Sequence, residues 1–348
     1  MDVSLFDYYL PKELIAQEPI EPRDHSRLMV LNRKNQTITH SYFYQIIDYL
    51  NENDVLVFNN SKVVPARLVG YKKSSQNKAE ILLIRPEDKE IFDFTSWPFF
   101  WRAIGKPNLK EGQIIVFNND LEAEVIKKDN YEIVIKFNKE GNDLKNDILS
   151  FGEMPLPPYI EHPTNKSYKE YQTVYAQKEG SIAAPTAGFH FTKKLLDKIK
   201  NKSIEMEFVI LHVGLGTFLP VKENEIEKHQ MHSEYFVISD EVALRLNEAK
   251  KKGKRIISVG TTVTRVLETS SDNQGIIRPQ SGWTNLFIYP GYQFKFIDAL
   301  ITNFHLPKST LLMLVSAFAG REFILKAYEE AVKQKYRFFS FGDAMFIQ

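Results

Sequence analysis

The hydrophobic period of this chain changes twice, and those two changes limit its possible folds more than any other feature. Up to Pro65, and again beyond Gly152, apolar runs of strand length alternate with segments whose apolar residues recur at helical spacing. Leu28 to Leu31 is followed by Ile46, Ile47 and Leu50 and then by the continuous apolar run 55–58. Farther on, Leu195, Leu196 and Ile199 precede Ile204, Met206, Phe208 and Ile210, which share one strand face. Between Pro65 and Phe151 the period is two. Residues 121–125 and 131–137 read as hairpin strands joined by a turn over 127–130, residues 80–84 and 113–117 as further strands, and no amphipathic helix is expected there. The pattern predicts an α/β main domain made of residues 1–64 and 152–348, with an all-β antiparallel barrel domain, residues 65–151, inserted into it. The Pro155-Leu156-Pro157-Pro158 stretch suits neither a helix interior nor a central strand and reads as the return linker. At 348 residues the chain outgrows one comfortable core, which fits two domains.

Stop and start signals refine the main domain. Pro11 predicts a short helix over 11–16, Thr192 a cap for the 195–199 helix, and Ser239 with Gly253 the limits of another. Residues 255–259 read as a strand, 260–262 as a turn, and Val263 begins a helix. The most demanding junction joins a strand at 294–301, the polar loop 302–309, and a helix that ends at Gly320 and is apolar all round. A helix without a polar face is buried on every side, so its first N–H groups need partners other than water. Asn303, His305 and Ser309 stand where such partners belong.

Composition closes off several classes of function. Lys+Arg 45 against Asp+Glu 44 gives no bulk signal for a nucleic-acid or membrane partner. The absence of cysteine excludes disulfides, thiolate nucleophiles and cysteine-ligated iron–sulfur clusters. The start Met1-Asp2-Val3-Ser4 has neither a basic region nor an apolar core, and no apolar run is long enough to span a bilayer, so a cytoplasmic protein without a membrane segment is expected. His229, His232 and Glu234 lack the spacing of a helical zinc motif. A structural or substrate-contacting role is read for them, and no metal is expected.

Polar chemistry gathers at the element junctions. They are Asn59 to Lys62, Ala184 to His190 with Thr186 and Gly188, Leu211 to Phe218 with His212, Gly214, Gly216 and Thr217, Gly260 to Arg265 with Thr261 and Thr262, and Thr302 to Ser309 with Asn303 and His305. Glycine lets backbone approach a ligand, and threonine at a helix start offers hydroxyl and N–H donors to an anionic group. In α/β proteins such junctions form the ligand crevice. The residues alone therefore indicate an enzyme with a polar cleft between elements, and leave its substrate open.

Several long stretches in one order resemble a known family. They are residues 6–11, 65–68, 180–191, 211–218, 302–320 and 336–344, including Pro65-Ala66-Arg67-Leu68, Ala184-Pro185-Thr186-Ala187-Gly188-Phe189-His190 and Ser340-Phe341-Gly342-Asp343. Nearly the whole chain is similar to the S-adenosylmethionine:tRNA ribosyltransferase-isomerases of queuosine biosynthesis. Asn60, Lys62 and Phe341 depart from the family pattern, which prefers Asp, Arg and Tyr there. The resemblance implies that S-adenosylmethionine (AdoMet) is consumed as a ribosyl donor, with no other cofactor. The acceptor implied is tRNA carrying 7-aminomethyl-7-deazaguanine at the wobble position. Epoxyqueuosine, adenine and methionine would be the products, and the enzyme a monomer. The sulfonium acidifies the neighbouring C5′ proton, so one base starts the reaction. His305 is the first candidate, with His190, His212, His232 and Asp343 behind it. Arg265, Thr217, Glu234 and Arg337 are expected to hold substrate, and Lys62 and Arg67 to contact tRNA. Another AdoMet- or nucleotide-dependent enzyme, or a non-catalytic RNA-binding module, are the competing readings.

Overall fold

The computed structural model describes residues 1–88, 96–118, 120–129, 131–214 and 223–348. Among them, Pro11 opens a single 3-10 turn, Lys12–Leu14, instead of the expected short helix. The backbone is already extended at Ile15, where it bridges to Phe338. Strands β1 (Arg27–Asn32) and β2 (Thr37–Tyr42) form a hairpin, followed by a 3-10 helix over Phe43–Tyr49 at the position read as helical. β3 (Asp54–Asn59) is buried at every residue, as a central strand covered on both faces must be, and β4 (Ser61–Val63) leads out of the sheet.

The period-two segment closes into a six-stranded antiparallel barrel. Its strands are β5 (Arg67–Lys72), β6 (Lys78–Pro86), β7 (Phe100–Lys106), β8 (Ile114–Val116), β9 (Glu122–Asp129) and β10 (Glu132–Phe137). β9 continues to Asp129, so residues 127–129 belong to the ladder rather than to a turn, and Asn130 lies outside the described residues. Contrary to the sequence reading, a helix follows: α1 (Gly141–Phe151), whose Leu144 and Ile148 join the barrel core of Leu68, Ile81, Trp97 and Trp101. Its composition hides it, because Gly, Asn, Asp and Ser fill most of its positions and only packing against the barrel favours the helix.

The chain then returns through α2 (Asn165–Glu170) and β11 (Lys178–Ser181), which pairs with β4. α3 (Lys193–Asn201), β12 (Glu205–Leu211), β13 (Glu234–Ile238), α4 (Asp240–Lys251), β14 (Arg255–Val259) and α5 (Thr261–Ser270) follow. α5 starts at Thr261, two residues before the expected position. β15 (Gln280–Thr284), β16 (Ala299–Asn303), α6 (Thr310–Ala319), α7 (Arg321–Lys333) and β17 (Ala344–Ile347) complete the chain. β16 is shorter than the strand read over 294–301. Buried Glu268 accepts the backbone N–H groups of Lys295, Phe296 and Ile297, which are thereby lost to strand pairing.

The main sheet has nine strands in the order β15-β13-β12-β3-β14-β16-β17-β1-β2. β12, β3, β14 and β16 are mutually parallel, so their C-terminal ends share one edge, while β17 runs antiparallel to β16 and parallel to β1. Helices α4 to α7 cover one face, and α3 with the 43–49 helix covers the other, giving the α/β layering the sequence indicated.

Candidate active site

The shared C-terminal edge of the parallel strands builds a small cleft of about 90 Å³. Residues 183–187 and 302–306 line it, together with the starts of α5 and α6. Ser309 caps α6 by accepting the N–H of Leu312 at 3.2 Å, and Thr261 and Thr262 open α5 after Gly260, whose φ of +100° favours glycine. Thr186 donates to Asn303 Oδ1 at 3.0 Å. His305 stands in this lining, its backbone clamped at both ends: its N–H donates to the Tyr328 hydroxyl, and its carbonyl accepts from the Tyr8 hydroxyl. Its Nε2 meets Thr302 Oγ1 at 2.9 Å, and among the described residues Nδ1 has no hydrogen bond. Burial lowers its pKa to about 3, so the ring is neutral.

Beside this cleft lies a larger cavity of about 640 Å³ between the barrel and the main sheet. Val213 lines both, so the two compartments adjoin. The barrel contributes Arg67, Glu80, Leu82, Ile84, Arg85 and Ile104. The main domain contributes His212, Gly214, His232, Glu234, Tyr235 and Trp283. His212 Nδ1 meets Ser61 Oγ at 2.8 Å, Ser61 meets Ser181 Oγ at 2.6 Å, and Ser181 accepts the Val213 N–H. Burial lowers the His212 pKa to about 4. Gly180 packs so closely on the imidazole that a Cβ there would fall 2.4 Å from it. Arg67 is held by Glu80 at 2.6 Å and by Glu153, and the Glu80 hydrogen bond raises its pKa. His232 is exposed on the cavity wall.

The family model of the queuosine biosynthesis protein matches residues 3–347. This chain belongs to that family. Within it, the chain is 51% identical over 348 residues to the S-adenosylmethionine:tRNA ribosyltransferase-isomerase of a Sulfurihydrogenibium species, with 100% of both chains covered. It is 52% identical over 354 residues to the enzyme of the same name from Caldanaerobacter subterraneus, again with 100% of each covered. The crystal structure of an S-adenosylmethionine tRNA ribosyltransferase from Thermotoga maritima is similar, with a TM-score of 0.55, 39% identity, and coverage of 99% of this chain and 100% of that one.

In this queuosine-family member, several of the singled-out residues hold the scaffold together. His190 uses both ring nitrogens, on Ser26 Oγ at 2.7 Å and Asn303 Nδ2 at 3.1 Å, and burial lowers its pKa to about 3. Asp343 accepts the backbone N–H groups of Arg27 and Arg337, while burial raises its pKa. The Arg337 guanidinium donates to the carbonyls of Glu18 and Phe341. Asn59 bonds both ways to the Leu211 backbone and so ties β3 to β12, and Gly188 packs under the Tyr175 hydroxyl. Glu234 pairs with buried Arg265 and accepts the Gly214 N–H at 2.9 Å, and Arg265 also reaches the carbonyls of Leu286 and Thr284. Lys62 lies outside both compartments, paired with Glu179 at 3.2 Å. Gly216 and Thr217 lie outside the described residues. Ser61 and Ser181 were missed, although both sit inside stretches read as functional. Their alignment with His212 needs the β4–β11 pairing, which no local pattern announces.

Proposed function

We propose that this chain is an S-adenosylmethionine:tRNA ribosyltransferase-isomerase that moves the ribosyl moiety of AdoMet onto 7-aminomethyl-7-deazaguanine at the wobble position of tRNA. The products are epoxyqueuosine, adenine and methionine. The observation that carries this reading is the pair of compartments meeting at Val213, a small polar cleft at two helix starts and a large cavity between domains. A small nucleoside-containing substrate and a macromolecular one must meet at one point, and this arrangement gives each its own approach. The reading takes residues 65–151 as the inserted wall, residues 1–64 with 152–348 as the catalytic unit, a single copy as the working form, and the cytoplasm, where tRNA resides, as its place. Among the described residues no helix is long and apolar enough to cross a membrane.

In this reading AdoMet is consumed and no resident cofactor is required. The C5′ proton beside the sulfonium passes to an imidazole, and we place His305 in that role because it is neutral and has a ring nitrogen uncommitted within the described residues. The same burial that keeps it neutral makes it a weak base, so proton transfer relies on the acidity given by the sulfonium. Thr186, Thr261, Thr262 and Asn303 line the small cleft, whose volume of about 90 Å³ admits only part of AdoMet, so the rest of the substrate extends past Val213 into the larger cavity, where Gly214, His232 and Arg67 face the tRNA side.

The test is adenine release from AdoMet with tRNA bearing the deazaguanine base. His305→Ala and His305→Gln should keep the parent's AdoMet binding and lose about 100-fold or more in turnover, the scale of an acid–base contribution. Parent-like turnover in both would remove His305 from the step and pass the role to His212. No adenine release by the parent enzyme with this tRNA would sink the function itself.

A further inference from the structure

Strand β6 carries an irregularity whose placement matters. Ala79, Ile81 and Leu83 point into the barrel core, so strict alternation would send residue 85 inward as well. Instead the β6–β7 register shifts between Leu83 and Arg85, and Ile84 and Arg85 are both half-buried and both line the interdomain cavity. A bulge of this kind re-aims a side chain, and here it turns an arginine out of a barrel interior toward the main domain.

The surroundings of Arg85 are those of a receptor. Its guanidinium donates only to the Pro86 and Glu87 carbonyls, and no carboxylate lies within ion-pair distance among the described residues. The neighbouring arginines differ: Arg67 is matched by Glu80 and Glu153, and Arg102 by Glu87 and Glu132. Burial and the nearby Arg102 charge lower the Arg85 pKa, and the smaller opposing pull of Glu87 and Glu132 does not offset them. The guanidinium carbon sits over the Trp283 ring of β15, 5.8 Å from its centre, and Tyr235 packs against that ring edge-on at 5.7 Å. The outward barrel positions Leu82, Ile84 and Ile104 are apolar where a solvated barrel face would be polar, and Tyr131 stands exposed at the same cavity. A cation with no ion-pair partner among the described residues, an apolar floor and aromatic rings together fit a ligand with an anion beside a planar ring.

We propose that the barrel face of this cavity is an RNA nucleotide subsite, in which Arg85 takes a backbone phosphate and Trp283 and Tyr131 offer ring faces to a base. This rests on the tRNA reading above and changes its electrostatics. Arg67 and Lys62, which the sequence suggested for tRNA contact, already have carboxylate partners, so the phosphate falls to Arg85. AdoMet also joins an anion, its carboxylate, to a planar ring, and the experiment separates the two.

Binding of an anticodon stem-loop RNA is measured by fluorescence anisotropy across a salt series, and AdoMet binding by calorimetry, for the parent, Arg85→Ala, Arg85→Lys and Trp283→Ala. Arg85→Ala should weaken RNA binding about tenfold and reduce the slope of log K against log salt by about 1, with AdoMet affinity and melting temperature unchanged. Arg85→Lys should recover most of the salt slope. Trp283→Ala should weaken RNA binding by about tenfold while leaving the slope alone, since stacking releases no counterions. Unchanged RNA affinity and slope in Arg85→Ala, or a loss confined to AdoMet, would overturn the subsite. The failure of the catalytic reading shows elsewhere, as absent adenine release by the parent, and these binding measurements stand apart from it.

Discussion

Three histidines in the main domain are held neutral by burial, with pKa values of about 3 for His190, about 4 for His212 and about 3 for His305. In the unfolded chain each takes up a proton near pH 6.5. Between roughly pH 4 and 6.5 the unfolded state therefore binds more protons than the folded one, and stability falls as pH falls through that window and is level above it. From pH 6.5 to 5.5 each histidine should remove about 1 kcal/mol. Urea unfolding at pH 7.5, 6.5 and 5.5 checks this, and a midpoint that holds steady to pH 5.5 would contradict the burial of these rings. Asp343 is tested by the separation of stability from rate. Its carboxylate accepts two backbone N–H groups, so Asp343→Ala should cost about 1–3 kcal/mol with turnover per folded molecule preserved. A stable but inactive Asp343→Ala would instead place it in the proton-transfer step.

The elements that position the cleft were legible where the local signal and the tertiary demand agree. Ser239 read as a helix start and caps α4, of the two cap candidates Ser309 and Thr310 it is Ser309 that caps α6, and β3 read as a continuous apolar run and is buried throughout. Helix α1 was illegible because its polar composition opposes the helix and only the barrel core favours it. The candidate site divides the same way. Thr186, Gly260, Thr261 and Thr262 stand in the lining of the small cleft, but nothing local distinguishes His305, which among the described residues keeps a ring nitrogen open, from His190, which spends both on its neighbours. The pairing of β4 with β11 brings Ser61, Ser181 and Gly180 against His212, and this supplies an element-scale prediction. Gly180 has φ +147° and no room for a Cβ, so Gly180→Ala should displace the His212 ring and lower turnover about tenfold or more while circular dichroism shows a retained fold. Ser309→Ala, which removes the α6 cap and the hydroxyl's bond to the Leu306 carbonyl, should cost about 1–2 kcal/mol in urea unfolding.

At the scale of the whole molecule, barrel and sheet are coupled where the chain passes between them. The Arg67–Glu153 backbone bridge and side-chain pair join the outgoing and returning strands, and Gly152 lies against the Pro65 carbonyl. Because Arg67 and Glu153 are both partly exposed, the ion pair itself should contribute under about 1 kcal/mol in a double-mutant cycle, with salt weakening it. The larger consequence comes from β17, which lies between β16 and β1 and alone joins the β1–β2 hairpin to the rest of the sheet. Leu28 waits for Ala344, whereas every strand of the barrel finds its neighbours between residues 67 and 137. On the ribosome, then, the barrel can be finished while the catalytic sheet is still in two pieces, with an open strand edge exposed for most of the chain's synthesis. A chain truncated after Asp343 should still protect barrel amides from hydrogen exchange and leave β1 unprotected. Restoring residues 344–348 should bring protection to β1.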